Sequence, residues 1–283
     1  MLVIQNNAKH LRYTALAQWE KSQTANLTGM LVADLNEPHS RLNREHHVRI
    51  ALFYNRDIYA HKALNLLAPR LSEHSLLFFY SHYVGGSAVR DVRLQQLAEF
   101  EKRVDTRPGS SFEQLAQSAR TVEHGVSDIN GSDAAKLADF KPDLVVSIRF
   151  GQIFKAPTIS IPRLGIINLH SGLLPAYKGV MASFWSLLND ESHLGTTLHW
   201  VTDSKIDSGQ VISRCRQTVR TDLNYSEQVL ALYEPGVAQI LEAVAQIEIL
   251  AKESKKDLPV GSYYSFPEAA DLDAFDEAGW TLF

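Results

Sequence analysis

The sequence predicts an α/β protein built on a mostly parallel sheet covered by helices on both faces, and three observations carry that expectation. Short apolar runs recur along the chain, stretches with helical spacing separate them, and the runs lack an alternating polar face. Strands buried on both sides read as unbroken apolar runs, whereas one-sided antiparallel strands alternate. With 283 residues, 45% hydrophobic and 21% charged, the chain can bury one sizeable core and a smaller appendage.

Residues 1–47 carry no repeating sheet unit. Leu11, Leu16 and Trp19, with small alanines around them, fit an amphipathic helix, and Asn36-Glu37-Pro38-His39-Ser40 fits a loop, so this segment reads as an N-terminal extension. The first strand is expected at Val48 to Tyr54. The turn Asn55-Arg56-Asp57 then opens a helix with Ala60, Ala63, Leu64 and Leu67 on one face, ending at Pro69. Ser75 to Tyr80 supplies a second strand, and Arg90 to Val104 has helical spacing through Val92, Leu94, Leu97 and Phe100.

A polar, turn-rich stretch around Pro108 to Ser111 precedes a short helix at Ala134 to Phe140 and a strand in Pro142 to Ile148. Further strands are expected at Gly165 to Leu169, Thr196 to Val201 and Gln210 to Cys215. Beyond Asn224, Val229, Leu230, Leu232, Val237, Ile240, Leu241 and Val244 describe long helical packing before a basic break at Lys252 to Lys256 and a compact tail from Ser262 to Phe283. The expected organisation is an extension over 1–47, a sheet domain over 48–220 and a C-terminal helical region with a tail over 221–283.

Charge and composition exclude several functions. A net charge of −4 and a pI near 6.3 argue against a broad phosphate-backbone footprint, so no nucleic-acid partner is expected. No apolar run has the length of a membrane span, and no membrane association is expected. The single Cys215 has no internal disulfide partner and the N-terminus has no signal-peptide pattern, so a reducing, cytoplasmic compartment is the simplest expectation. The first strand ends without the G-x-G-x-x-G or G-x-x-x-x-G-K-[ST] spacing that wraps a pyrophosphate, and the eleven His residues show no H-E-x-x-H spacing, so neither a dinucleotide nor a metal is expected.

What remains is a constellation of Asn168, His170 and Asp207. Residues two apart on a strand share a face, so Asn168 and His170 project together. Asp207 lies in the turn Ile206-Asp207-Ser208-Gly209 between two expected strands, and a carboxylate beside an imidazole favours its charged form. Each residue also has a plainer explanation. A lone His at a strand end is more often a hydrogen-bonded structural residue, Asp before Ser-Gly is a turn former, and Asn caps strand ends. Cys215 reads as core, not nucleophile, and Tyr263, Tyr264 and Phe266 fit core packing first, with a homodimer interface, a substrate wall or a folded-back tail as alternatives.

The order of motifs resembles the formyltransferases that use N10-formyltetrahydrofolate, a family that includes methionyl-tRNA, glycinamide ribonucleotide and amino-sugar formyltransferases. Asn168-Leu169-His170, Leu173-Leu174-Pro175 and Ile206-Asp207-Ser208-Gly209 carry the likeness, supported by Pro142 to Val146, Phe150 to Ile153, Pro162 to Gly165 and Tyr177-Lys178-Gly179. It spans roughly residues 48 to 220. It implies a Rossmann-like formyltransferase fold, a catalytic set of Asn168, His170 and Asp207, and N10-formyltetrahydrofolate as the formyl donor. It also places Phe150, Gly151, Gln152 and Ile153, and Asp203, Ser204, Lys205 and Ile206, where the family's backbone lines the pterin pocket. One departure stands out: the family often has His-Pro-Ser or His-Gly-Ser before Leu-Leu-Pro, and here the order is His170-Ser171-Gly172.

The acceptor is less constrained. Net acidity and the roughly sixty residues after the sheet disfavour transfer RNA, and Tyr54-Asn55-Arg56-Asp57 does not reproduce the phosphate loop of the glycinamide ribonucleotide enzymes. A small-molecule amine is expected, either a nucleotide-linked amino sugar or a hydroxyornithine-like amine. Alternative readings are a formyltetrahydrofolate deformylase, in which water takes the formyl group, and a folate-binding scaffold without turnover.

Overall fold

Five parallel strands form the body of the sheet in the unit that runs from His47 to Phe283, and the chain adds strands to it from the middle outward. The computed structural model describes residues 47–81, 90–253, 255 and 258–283; the helix and loop expected within 1–46 lie outside them. In chain order the strands are β1 (Arg49–Asn55), β2 (Ser75–Ser81), β3 (Glu123–Val126), β4 (Leu144–Ile148), β5 (Gly165–His170), β6 (Lys178–Gly179), β7 (His193–Val201), β8 (Val211–Thr218) and β9 (Tyr263–Tyr264). Seven make one sheet in the order β3-β2-β1-β4-β5-β7-β8, and β6 pairs with β9 in a small second sheet. The β3-to-β5 pairings are parallel, whereas β7 and β8 run antiparallel. The mostly parallel α/β architecture is therefore as expected.

The helices are α1 (Ile58–Leu67), α2 (Val92–Glu101), α3 (Phe112–Ser118), α4 (Ala134–Phe140), α5 (Ala156–Ile159), α6 (Ala182–Leu188), α7 (Tyr225–Ala231), α8 (Tyr233–Ala245), α9 (Ile247–Leu250) and α10 (Ala269–Glu277). The alternation of β1 explains why both faces are covered: Ile50, Leu52 and Tyr54 enter one hydrophobic core with α1, α7 and α8, while Ala51 and Phe53 enter another with Leu137 of α4 and Phe154. No helix among the described residues is long and apolar enough to cross a membrane.

Several expectations shift. The polar stretch after residue 104 holds α3 and the edge strand β3, whose sequence Glu-His-Gly-Val has no apolar run because an edge strand is only half covered. Cys215, expected in the core, is partly exposed, because β8 is the opposite edge and its residues are mostly half-buried. Tyr263 is 57% exposed, while Tyr264 stacks on Tyr177 and Trp185 and Phe266 lies under the Arg90 guanidinium. From 221 onward, α8 packs on α1, β7 and β8 within the unit that runs from His47 to Phe283.

Strand order reverses between β1 and β4, and the loops after these strands flank that switch point, where open α/β sheets bind their ligands. Asp57 follows β1. Its Oδ1 accepts the amides of Tyr59 (3.0 Å) and Ala60 (2.8 Å) at the start of α1, and its Oδ2 accepts Arg149 Nε at 2.7 Å and Asn55 Nδ2 at 3.0 Å. This one side chain caps a helix and pairs with the guanidinium that follows β4. Asp57→Ala is expected to lower the unfolding free energy by about 3 kcal/mol, because it removes the cap and strands a largely buried cation. Urea denaturation measures this, and a loss of no more than about 1 kcal/mol, the scale of an exposed ion pair, would contradict it.

Candidate active site

A cleft of about 700 Å³ opens over the carboxyl ends of β1, β4 and β5. Asn168 and His170 line it, as their shared face on β5 requires, and so do Asp207, Phe150 and Ile206. Leu94, Leu97 and Glu101 of α2 line it as well, together with Asp57 and Arg149. Arg149, Met181 and Asp207 line the cleft with φ of 59°, 52° and 50°. Left-handed backbone at non-glycine residues costs about 1 kcal/mol or more and gathers at functional sites.

Asp207 is the centre of the polar end. Its Oδ2 lies 3.4 Å from His170 Nδ1 and accepts the Gly179 amide at 2.8 Å, and its Oδ1 lies 3.3 Å from His199 Nε2. Burial by itself would raise this carboxyl; the His170 charge, the His199 hydrogen bond and charge, and the Gly179 amide outweigh it and hold Asp207 at about 2. His170 Nε2 donates to Tyr177 O at 2.7 Å, which fixes the ring with its Nδ1 edge toward the carboxylate.

His199 is the residue that sequence reasoning missed. It sits directly opposite Asn168 in the antiparallel β5–β7 register, with its Nε2 3.1 Å from Asn168 Nδ2 and its Nδ1 donating to Trp200 O at 2.9 Å. It is 2% exposed. Its signal in the sequence is only a polar side chain in an apolar strand, and the strand register needed to pair it with Asn168 is a tertiary fact. Arg149, Asp57 and Glu101 were missed for the same reason: they come from three separate elements.

The remaining cofactor candidates sit elsewhere. Gly151, Gln152, Ile153, Asp203, Ser204 and Lys205 lie outside the cleft lining. Gly151 donates its amide to Ser81 Oγ at 3.0 Å, and Gln152 ties down a neighbouring loop, accepting Ile129 N at 3.0 Å and donating to Val126 O at 3.2 Å. Ile153 is 48% exposed. Asp203 closes its own turn by accepting Lys205 N at 2.8 Å, and its carboxylate also pairs with Lys205 Nζ at 3.2 Å.

The Ser171-Gly172 departure has a steric basis. A Cβ on Gly172 would stand 2.5 Å from His170 Nε2 and 2.5 Å from the Ala182 Cβ, so only glycine lets the loop pass this close to the imidazole. The Ser171 carbonyl accepts Ser183 Oγ at 3.0 Å, which anchors the same loop to α6.

The formyl transferase family model matches residues 101–244. A methionyl-tRNA formyltransferase of Deinococcus radiodurans is 33% identical over 128 residues, covering 45% of this chain and 40% of that protein. The chain thus spans about two fifths of the length of that curated relative. Among solved structures, a sugar N-formyltransferase from Shewanella is 16% identical with a TM-score of 0.53, covering 78% of each chain. An N-formyltransferase from Helicobacter canadensis, solved with folinic acid and dTDP-3-aminofucose, is 18% identical with a TM-score of 0.51, covering 77% of this chain and 71% of that one. At these identities the structural likeness is one of fold.

Two measurements check the site's construction. Gly172→Ala should displace the His170 ring and cost roughly 1–3 kcal/mol of stability by overpacking; a variant that unfolds with the wild type would refute the contact. Asp207, with its folded value depressed to about 2, contributes stability that is present above its unfolded value near 3.8 and lost as pH falls through the folded one. The difference in stability between wild type and Asp207→Asn should therefore shrink by about 2 kcal/mol between pH 5 and pH 2. Urea titrations at several pH values give that difference, and a constant offset would rule it out.

Proposed function

This chain belongs to the formyl transferase family, and we propose that it transfers a formyl group from N10-formyltetrahydrofolate to the amine of a small molecule by direct attack through a tetrahedral intermediate. The observation that carries this reading is the meeting of Asn168, His170 and Asp207 in a cleft of about 700 Å³ that Arg149 and Glu101 also line. In the proposed roles Phe150 to Ile153 and Asp203 to Ile206 are the cofactor-side segments, with Phe150 and Ile206 presenting side chains to the cleft.

The chemistry follows from where charge develops. The neutral amine nitrogen bonds to the formyl carbon, and the carbonyl electron pair moves onto oxygen. Donors already aimed at that oxygen lower the barrier because they need no reorganisation. His170, whose Nε2 is taken by Tyr177 O, donates from Nδ1, the edge that lies 3.4 Å from the Asp207 carboxylate. Asn168 donates its NH2, and the second imidazole has a part in directing it. His199 donates from Nδ1 to Trp200 O and presents Nε2 3.1 Å from Asn168 Nδ2, so one N–H of the amide is held by the imidazole and the other is left for the cleft.

Collapse of the intermediate breaks the bond from carbon to N10, and His170 gives its proton to the departing nitrogen. The proton lost by the attacking amine, relayed by water beside Asp207, restores the ring. A carboxyl held at about 2 is a weak base, so Asp207 serves mainly to hold and orient the charged ring.

The acceptor is a small amine, either a nucleotide-linked amino sugar or a hydroxyornithine-like amine. The Helicobacter protein's complex with an amino sugar nucleotide supports the first, and the chain's net charge of −4 speaks against a polyanionic transfer RNA. Mass spectrometry of amines incubated with the protein and N10-formyltetrahydrofolate should find a gain of one formyl group. Asn168→Ala and His170→Ala should each slow folate release about 100- to 1000-fold, and Asp207→Ala should do so comparably. Near wild-type turnover in all three, or formate release with no amine required, would sink the reading, the latter in favour of a deformylase.

A further inference from the structure

The part of the cleft lined by Asp57, Arg149 and Glu101 divides its charges unevenly. Asp57 is saturated, with two helix amides, Asn55 Nδ2 and Arg149 Nε all within 3.0 Å. Glu101 is the second carboxylate at the same guanidinium, but Arg149 Nη2 stands 3.4 Å away. Glu101 is also the last residue of α2, where the free carbonyl ends carry partial negative charge. Its side chain is only 16% exposed; Tyr59 hydrogen-bonds to it, and the charges of Arg149, Asp57 and Arg90 act on it. Burial, only partly offset by Arg149, pushes its carboxyl up to about 7. One guanidinium thus serves two carboxylates, and Asp57 holds the better share.

The same arrangement disfavours a phosphate. In open α/β sheets the first helix N-terminus is the natural anion site, yet here the Asp57 carboxylate occupies the start of α1. Among the described residues, the other cations lining the cleft have partners: Arg56 with Glu113 at 2.5 Å and with Glu123, Lys102 with Glu99 at 2.6 Å, and Arg90 against the Phe266 ring at 3.7 Å.

We infer that Glu101 selects the acceptor: the cleft takes an amine whose remote end carries a second, cationic nitrogen seated on the Glu101 carboxylate, and not one whose remote end is a phosphate. The inference rests on the formyl-transfer reading above. A seated ammonium would supply the counter-charge that Arg149 gives mostly to Asp57, and the reacting amine would point down the cleft toward Asn168 and His170. Glu101 is then a specificity residue with no part in bond making.

The test uses the full chain with N10-formyltetrahydrofolate and three acceptors: 1,4-diaminobutane, 1-aminobutane and a nucleotide-linked amino sugar. The diamine is expected to have a KM about tenfold below that of the monoamine, the ratio one charge-assisted contact supplies. Glu101→Gln, which keeps shape and removes charge, should raise the diamine KM about tenfold more than the monoamine KM while kcat for the diamine stays within about twofold. Glu99→Gln, on the same helix but exposed, should move neither. Equal KM values for diamine and monoamine, or a kcat loss in place of a KM change, would overturn the inference. Formylation of the amino sugar alone would overturn it and leave the formyl-transfer reading standing, whereas no formylation of any amine would overturn both.

Discussion

Asp207 is the constraint on which the rest of the site depends. One buried carboxylate touches an imidazole from β5, an imidazole from β7 and a backbone amide from β6. Carboxylates are rarely taken out of water unless several donors receive them, and the donors here come from three strands that share no local sequence. The loop that carries Asp207 is therefore closed onto the sheet by electrostatics as well as by its own turn. Asp tolerates the left-handed backbone this closure demands, with φ of 50°.

The antiparallel step from β5 to β7 makes that arrangement possible. Had β7 run parallel to β5, its residues would meet β5 in the reverse order, and His199 and Thr197 would not stand opposite Asn168 and His170. Instead, His199 lies across from Asn168 and Thr197 across from His170. Thr197 Oγ1 donates to Gly172 O at 2.7 Å and accepts Leu174 N at 3.1 Å, so the same strand that orients Asn168 also fastens the loop beneath His170. At the other end of the cleft, the Asp57–Arg149 pair plays the corresponding part between β1 and β4, where strand order reverses. The two ends of the cleft are thus built at two junctions of one sheet, with the β4–β5 pairing between them.

Much of this was legible in the amino-acid sequence. The unbroken runs Ile50 to Tyr54 and Leu144 to Ile148 announced strands buried on both faces, because only a doubly covered sheet leaves no polar side. The period of two along a strand placed Asn168 and His170 together. Glu123 to Val126 was not legible, since an edge strand needs no apolar pattern, and Cys215 was misplaced because the apolar look of its segment did not reveal that β8 is an edge. The side chains of Gln152 and Asp203 fasten loops, a role that depends on which way a side chain turns and not on the local pattern.

The sequence by itself determined the class of fold, the shared face of Asn168 and His170, and the motif that brings Asp207 into the same family pattern. These rest on local periodicity and on short-range spacing, which a chain carries wherever it folds. The tertiary structure decided that His199 completes the carboxylate's shell, that Gly172 must lack a side chain, and that Arg149 is shared unequally between Asp57 and Glu101. The first and third are distances between residues far apart in the chain, fixed by strand register and strand order, and the second is set by how the loop folds back on His170 and α6; none is written in the identity of any one residue.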